Sequence, residues 1–168
     1  GIVPHTIYWF DFIARRLDYG YDIAGAHWVV VGVFGILGPI LAAALARLVG
    51  TAPATAATYF VLALGIAAPA FGAGFAMLAL STILFGLQPG VSTMIAARTR
   101  DLGSAAQTPG MIRTTIVANG IGAAAGGLAI PAMLDATGSY ALLFLTGGAA
   151  FLLGGLLCLP FLAVRHPD

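Results

Sequence analysis

The chain has 168 residues, of which 60% are hydrophobic and only 8% charged, with a formal net charge of +1 and a mean hydropathy of +1.01. A soluble domain needs about a quarter of its residues charged to wet its surface, so this composition excludes a soluble protein and leaves an integral membrane protein embedded in a lipid bilayer. The small net charge, with no basic cluster among aromatics, gives no nucleic-acid partner, and the lone cysteine, Cys158, excludes an internal disulfide or a cysteine-based zinc site.

The predicted elements make an all-α, polytopic helical bundle over residues 1–168, with five full spans and a partial first one. The first segment, approximately 1–16, opens Gly-Ile-Val-Pro without an initiator Met or the charged start of a signal peptide. It is shorter than the roughly 20 residues that cross a bilayer and reads as the second half of a truncated helix. On a helix His5, Tyr8, Trp9 and Phe12 form one stripe by their three- and four-residue spacing, with Asp11 on its flank and Arg15 four residues further on. Two readings stand for this stripe. It lines a cavity in which His5 or Asp11 exchanges protons, or it is an aromatic belt near the outer interface with Asp11–Arg15 as a surface pair.

The second span, 27–47, has Trp28 at one border and Arg47 at the other. Gly32, Gly35 and Gly38 recur on it at helical spacing, and Pro39 offers a bend. Next comes a run of 50 residues without a formal charge, Leu48 to Ala97. As one helix it would be about 75 Å long, more than twice the hydrocarbon core of about 30 Å. It must therefore cross, turn at Pro69-Ala70-Phe71-Gly72-Ala73-Gly74 and return, which gives spans 54–71 and 74–97. In the middle of the second of these stands Gln88-Pro89-Gly90-Val91-Ser92-Thr93. Gln88 and Ser92 share a face there, and polar side chains at that depth need a neighbouring helix or a water-filled pathway. Gly86 and Gly90 share a face on the same span.

A polar loop from Arg98 to Met111 follows. Arg98, Arg100 and Arg113, like Arg47, read as cytoplasmic anchors; a gating salt bridge involving them or Asp101 is the sharper alternative. The span 111–134 carries Asn119, with Thr115 one turn earlier, and Gly122 and Gly126 on one face. The span 139–164 begins at Tyr140 and stops before Arg165, and Cys158 lies inert in its apolar run. The spans 54–71 and 139–164 have no polar side chains at their centres and read as peripheral; those carrying His5, Gln88 and Asn119 would face a central cavity.

If the spans alternate, Arg47, Arg98, Arg100, Arg113 and Arg165 fall on one side and only Arg15 and Arg16 on the other. The arginine-rich side is cytoplasmic by the positive-inside rule, which places the C-terminus inside. Catalytic signatures are missing. Without Lys there is no P-loop, and without Glu no zinc-protease helix motif; His5, His27 and His166 have no metal-ligand spacing. No enzyme activity, cofactor or metal is expected.

The segment His5-Thr6-Ile7-Tyr8-Trp9-Phe10-Asp11-Phe12-Ile13-Ala14-Arg15 resembles the seventh helix of major facilitator superfamily transporters, in particular the YbfB/YjiJ-type branch. Gly35-Ile36-Leu37-Gly38-Pro39 and Leu45-Ala46-Arg47-Leu48-Val49-Gly50 resemble the end of the eighth helix and its cytoplasmic loop. Gly138-Ser139-Tyr140-Ala141-Leu142-Leu143-Phe144 resembles the start of the twelfth. The resemblance covers essentially the whole chain and implies the C-terminal six-helix half of the fold, whose partner is a missing N-terminal six-helix half. The family's loop pattern has Asp before Arg; here Ala46 stands there, which puts a charge-relay role for Arg47 in doubt. The resemblance implies secondary transport of a small-molecule substrate by alternating access, driven by protons, in the inner (plasma) membrane. The Ala/Gly-rich, Lys-free composition fits a bacterial source. The competing reading is a non-transporting scaffold or subunit of a larger membrane complex. A channel is a third, without any repeat or filter-like loop in its favour.

Overall fold

A bilayer interior offers no water to backbone N–H and C=O groups, so each crossing segment must satisfy them internally, and for an apolar chain the helix does so. The computed structural model describes residues 1–162, and among them every regular element is helical. In chain order these are α1 (Val3–Asp11), α2 (Gly20–Val49), α3 (Thr51–Ala67), α4 (Phe75–Gly86), α5 (Pro89–Leu102), α6 (Thr108–Thr137) and α7 (Tyr140–Cys158). Five segments are long and apolar enough to cross a bilayer: α2; Thr51–Ala70, which is α3 with a short 3-10 turn; Phe75–Leu102, which joins α4 and α5; α6; and Tyr140–Phe161. The nine residues of α1 continue into a π-helical turn, Phe12–Arg16, that keeps Phe12, Ile13 and Ala14 buried.

Three boundaries differ from the sequence expectation. α2 starts at Gly20, ahead of Trp28, because Asp18 (φ 57) and Gly20 (φ 79) make a left-handed turn and Asp22 in the first turn complements the helix dipole. Arg98–Leu102 continue α5 instead of opening a loop. Long arginine stems run along the helix while their heads reach the interface, and the connection shrinks to residues 103–107, tied by the Ser104 N–H to Gln107 Oε1 at 3.1 Å. The span through Gln88 is interrupted. The Leu87 and Gln88 N–H groups bond three residues back to Leu84 and Phe85, and Pro89 starts a new helix where its missing N–H costs nothing. Prolines inside helices occur at Pro39 in α2 and Pro131 in α6.

The bundle closes through glycines. A Cβ at Gly148 of α7 would lie 2.9 Å from the Ala63 carbonyl oxygen of α3, so the two backbones touch. A Cβ at Gly38 would meet the Leu87 carbonyl oxygen at 2.8 Å, and one at Gly90 the Gly38 carbonyl oxygen at 2.8 Å, which locks α2 onto the break between α4 and α5. Gly32 and Gly122 face open space, so the glycine stripes of α2 and α6 are only partly packing surfaces.

Three apolar clusters stack along the bundle. One joins Trp9, Phe12 and Ile13 to Leu78, Leu143 and Phe144. The next joins Leu62 and Ile66 to Phe85, Val91 and Phe151. The last is Ala42, Ala54 and Met94. Within this bundle α3 and α7 are packed together, and half of the α3 span is buried, against 6% of the α6 span. Their small residues, the very feature that looked featureless, let them pack on each other. α6 stands at the edge with Ile116, Val117, Ile121 and Leu128 exposed.

Replacing Gly148 by Leu should force α3 and α7 apart at a cost on the order of 1–3 kcal/mol, lowering the apparent melting temperature in detergent. Gly32→Ala, which meets nothing, should cause no loss. Equal melting temperatures for both variants would contradict the close contact.

Candidate functional site

A cavity of about 580 Å³ lies between α3, α5, α6, α7 and the start of α1, where Gly1, Ile2 and Val3 line it. Its polar wall comes from Gln88 in the α4–α5 break, Ser92 and Thr99 of α5, Thr115 and Asn119 of α6, and Tyr59 of α3. Val91, Ile95, Ile112, Ile116 and Phe151 supply an apolar wall. The α4–α5 break positions Gln88, and one helical turn brings Ser92 beneath it. The Thr99 and Thr115 hydroxyls donate to carbonyls of their own helices, Ile95 at 2.7 Å and Met111 at 3.0 Å. Gln88, Ser92 and Asn119 have no side-chain hydrogen-bond partner among the described residues. Ser92 and Asn119 are exposed, so the cavity is open on one side. Of the residues singled out in the sequence, the structure thus gathers Gln88, Ser92 and Asn119. Tyr59 was missed, since one phenol in a span of Ala, Leu and Thr carries little signal.

The α1 stripe goes elsewhere. His5 and Trp9 are fully buried in the bundle core, Phe12 nearly so, and neither His5, Tyr8, Trp9 nor Asp11 reaches the cavity wall. The helical spacing fixes which residues share a face; what that face meets depends on tertiary packing, and here it meets α4 and α7. His5 Nε2 lies 2.7 Å from Ser81 Oγ, and Ser81 donates to the Gly65 carbonyl oxygen at 2.7 Å. A hydroxyl has one hydrogen, so Ser81 accepts from His5 Nε2–H and His5 Nδ1 carries the bare lone pair. That atom and Trp9 Nε1 are buried without a partner. Trp9 and Phe85 each lie 4.6 Å from the His5 ring centre, and Phe144 at 5.2 Å.

The adjacent hydroxyl receives the second histidine. His27 Nδ1 of α2 lies 2.5 Å from Thr82 Oγ1, which itself donates to Leu78 O. Trp9 stands edge-on to His27 at 6.0 Å. Two histidines 22 positions apart in sequence are therefore brought to consecutive residues of α4. Ser81 and Thr82 gave no sequence signal, because isolated hydroxyls in spans usually bond their own helix.

Asp11 joins α1 to α7 by accepting from the Tyr140 hydroxyl, and pairs with Arg15 at 3.2 Å. At the opposite end, Arg98 donates to the Phe161 carbonyl oxygen at 2.6 Å, Arg100 to Ala96 O at 3.2 Å, and Thr51 to Asp101. Arg47, Arg100 and Arg113 form no ion pair among the described residues. Arg165 and His166 lie outside the described residues. Among the described residues no three His, Cys or Asp side chains gather as a metal site.

The family model described as "Uncharacterised MFS-type transporter YbfB" matches residues 1–159. No curated protein and no solved structure matches the chain. The chain belongs to this family of multi-pass membrane transporters.

Two deletions of single hydroxyls should differ in cost. Ser81→Ala leaves the His5 N–H buried without an acceptor, which costs about 1–3 kcal/mol. Tyr140→Phe removes a donor from the half-exposed Asp11, which water replaces at well under about 1 kcal/mol. Chemical unfolding in detergent should rank Ser81→Ala as the less stable.

Proposed function

We propose that this member of the YbfB-type transporter family is one six-helix half of a secondary active transporter. In this reading it moves a small solute by alternating access, coupled to protons, across a bacterial inner membrane, with its C-terminus in the cytoplasm. The observation that carries the reading is the cavity. Gln88, Ser92 and Asn119 hold unpartnered polar groups in an otherwise apolar bundle, an expensive arrangement in a membrane unless a solute or water uses them. The open side of the cavity, beside the exposed α6, is where an N-terminal half would supply the opposite wall. Arg47, Arg98, Arg100 and Arg113 cluster at helix ends and support the assignment of that end to the cytoplasm.

The proton has a separate place. His5 Nδ1 holds the free lone pair, beside the rings of Trp9 and Phe85. His27 and Thr82 are the neighbouring polar groups on α2 and α4. Asp11 is engaged by Arg15 and Tyr140 and holds the α1–α7 end together.

The test is solute flux into proteoliposomes containing the full-length protein under an imposed pH gradient. Asn119→Leu and Gln88→Leu should each lower uptake about tenfold, the worth of one good hydrogen bond, with protein levels unchanged. His5→Gln should abolish the response to the gradient while solute counterflow persists, and Asp11→Asn should retain that response. If no solute moves under any gradient and the protein purifies inside a larger complex, the scaffold reading replaces this one.

A further inference from the structure

We infer that His27 is a second proton-binding residue of the transport cycle, accepting its proton at Nε2, with Thr82 as the residue that positions it; this rests on the proton-coupled reading above. Leu78 O can only accept, so the Thr82 hydroxyl commits its one hydrogen there. Thr82 Oγ1 must then accept from His27, which puts the imidazole hydrogen on Nδ1 and the bare lone pair on Nε2. Among the described residues nothing donates to that lone pair. Ser81 orients His5 the opposite way, fixing Nε2–H and baring Nδ1. Consecutive hydroxyls of α4 thus hold two imidazoles in opposite tautomers, and each ring keeps one basic nitrogen.

A tie of this kind survives protonation. Nδ1–H donates to Thr82 in the neutral ring and more strongly in the charged one, so α2 stays bonded to α4 in both states. The two lone pairs lie at different depths. His5 Nδ1 is sealed in the core among Trp9, Phe85 and Phe144, whereas the His27 ring is half-buried. Trp9 touches both rings, stacked on His5 and edge-on to His27. A proton on His27 therefore reaches His5 only after Trp9 moves. No fixed charge is pressed against His27 by its neighbours. α4 has no ionisable side chain. α1 offers His5 behind Trp9, Tyr8, and Asp11, which is paired with Arg15; Arg15 and Arg16 of the π-helical turn are exposed. Asp22 stands more than one turn earlier on α2, Tyr59 is the ionisable residue of α3, and Arg98, Arg100 and Asp101 lie at the far end of α5.

The experiment uses the full-length protein, in lipid nanodiscs with isotope-labelled histidine for nitrogen NMR and in proteoliposomes for flux. The His27 signals, identified by their loss in His27→Gln, should show a protonated Nδ1 and a bare Nε2 at high pH, with Nε2 gaining the proton on acidification. His27→Gln keeps a donor for Thr82 but cannot titrate, and it should remove the stimulation of uptake by the pH gradient while solute counterflow persists. Thr82→Val withdraws the acceptor that favours the charged ring, so the pH midpoint of uptake should fall by about one unit, and Thr82→Ser should keep it in place. A bare Nδ1, or a His27 that does not titrate between about pH 4 and 9, would overturn the inference. So would an unchanged gradient response in His27→Gln while His5→Gln loses it, and the transport reading would then stand. If no solute flux responds to a pH gradient in the unmutated protein, the proton-coupled reading itself fails and the inference with it.

Discussion

The constraint on which this structure turns is that a polar atom inside a bilayer has no water to bond. Helices settle the backbone, and the side chains then sort themselves by how they meet the same demand. Thr55, Thr99 and Thr115 return their hydrogens to carbonyls of their own helices. Thr82 does so too, while Ser81 donates across to the Gly65 carbonyl of α3, and both accept from an imidazole on another helix, which ties α1, α2 and α3 to α4. Gln88, Ser92 and Asn119 do neither, and they are the ones found together at a cavity. These three meet where something from outside can serve them, whereas His5 Nδ1 and Trp9 Nε1 are left without a partner in the core.

The cavity exists because packing is uneven. Glycine lets α7 lie against α3 and α2 against the α4–α5 break at backbone contact distance, and those pairs bury their apolar faces well. α6 is as rich in Ala and Gly, yet at Gly120, Gly122 and Gly127 a Cβ would meet nothing within 4 Å. Small residues permit close approach but contribute little apolar area of their own, so a helix without a matching surface gains little by docking. The gap between α5 and α6 follows from that mismatch, and it is the space the proposed function assigns to the solute.

Much of this was readable in the sequence, and the unreadable parts have a common cause. The five spans follow from charge-free length, and Gln88, Ser92 and Asn119 stand out because they are polar in apolar runs. Pro89 stood inside an apolar run read as one span, and in the structure it ends one helix and begins another. The His5 stripe shows the limit. Spacing identified a face made of His5, Trp9 and Phe12, but whether that face meets water or core depends on Ser81, Gly65 and Phe144, which are distant in sequence and ordinary in type. Tyr59 and the pairing of His27 with Thr82 were hidden for the same reason. The extension of α5 through Arg100 was hidden by a local one: charged residues at a membrane border suit a helix end as well as a loop.

The site and the histidine layer are separate, yet a short stretch of chain connects them. Phe85 lies against the His5 ring at 4.6 Å, Ser81 bonds it one turn earlier, and both belong to α4. Gln88, three residues beyond Phe85, belongs to the cavity. Between them is the one place in this span where the helical ladder is replaced by tight turns, held against α2 by the Gly38–Leu87 and Gly38–Gly90 contacts. Under the proposed function, a charge appearing on His5 would act first on α4 and a solute would act first on α5. The break at Leu87 is where the two helices can reorient relative to each other without losing internal hydrogen bonds. A continuous helix would transmit such a displacement as a rigid rod. An interrupted one, pinned at its joint by backbone contact to α2, converts it into a change of angle, the kind of motion that alternating access requires.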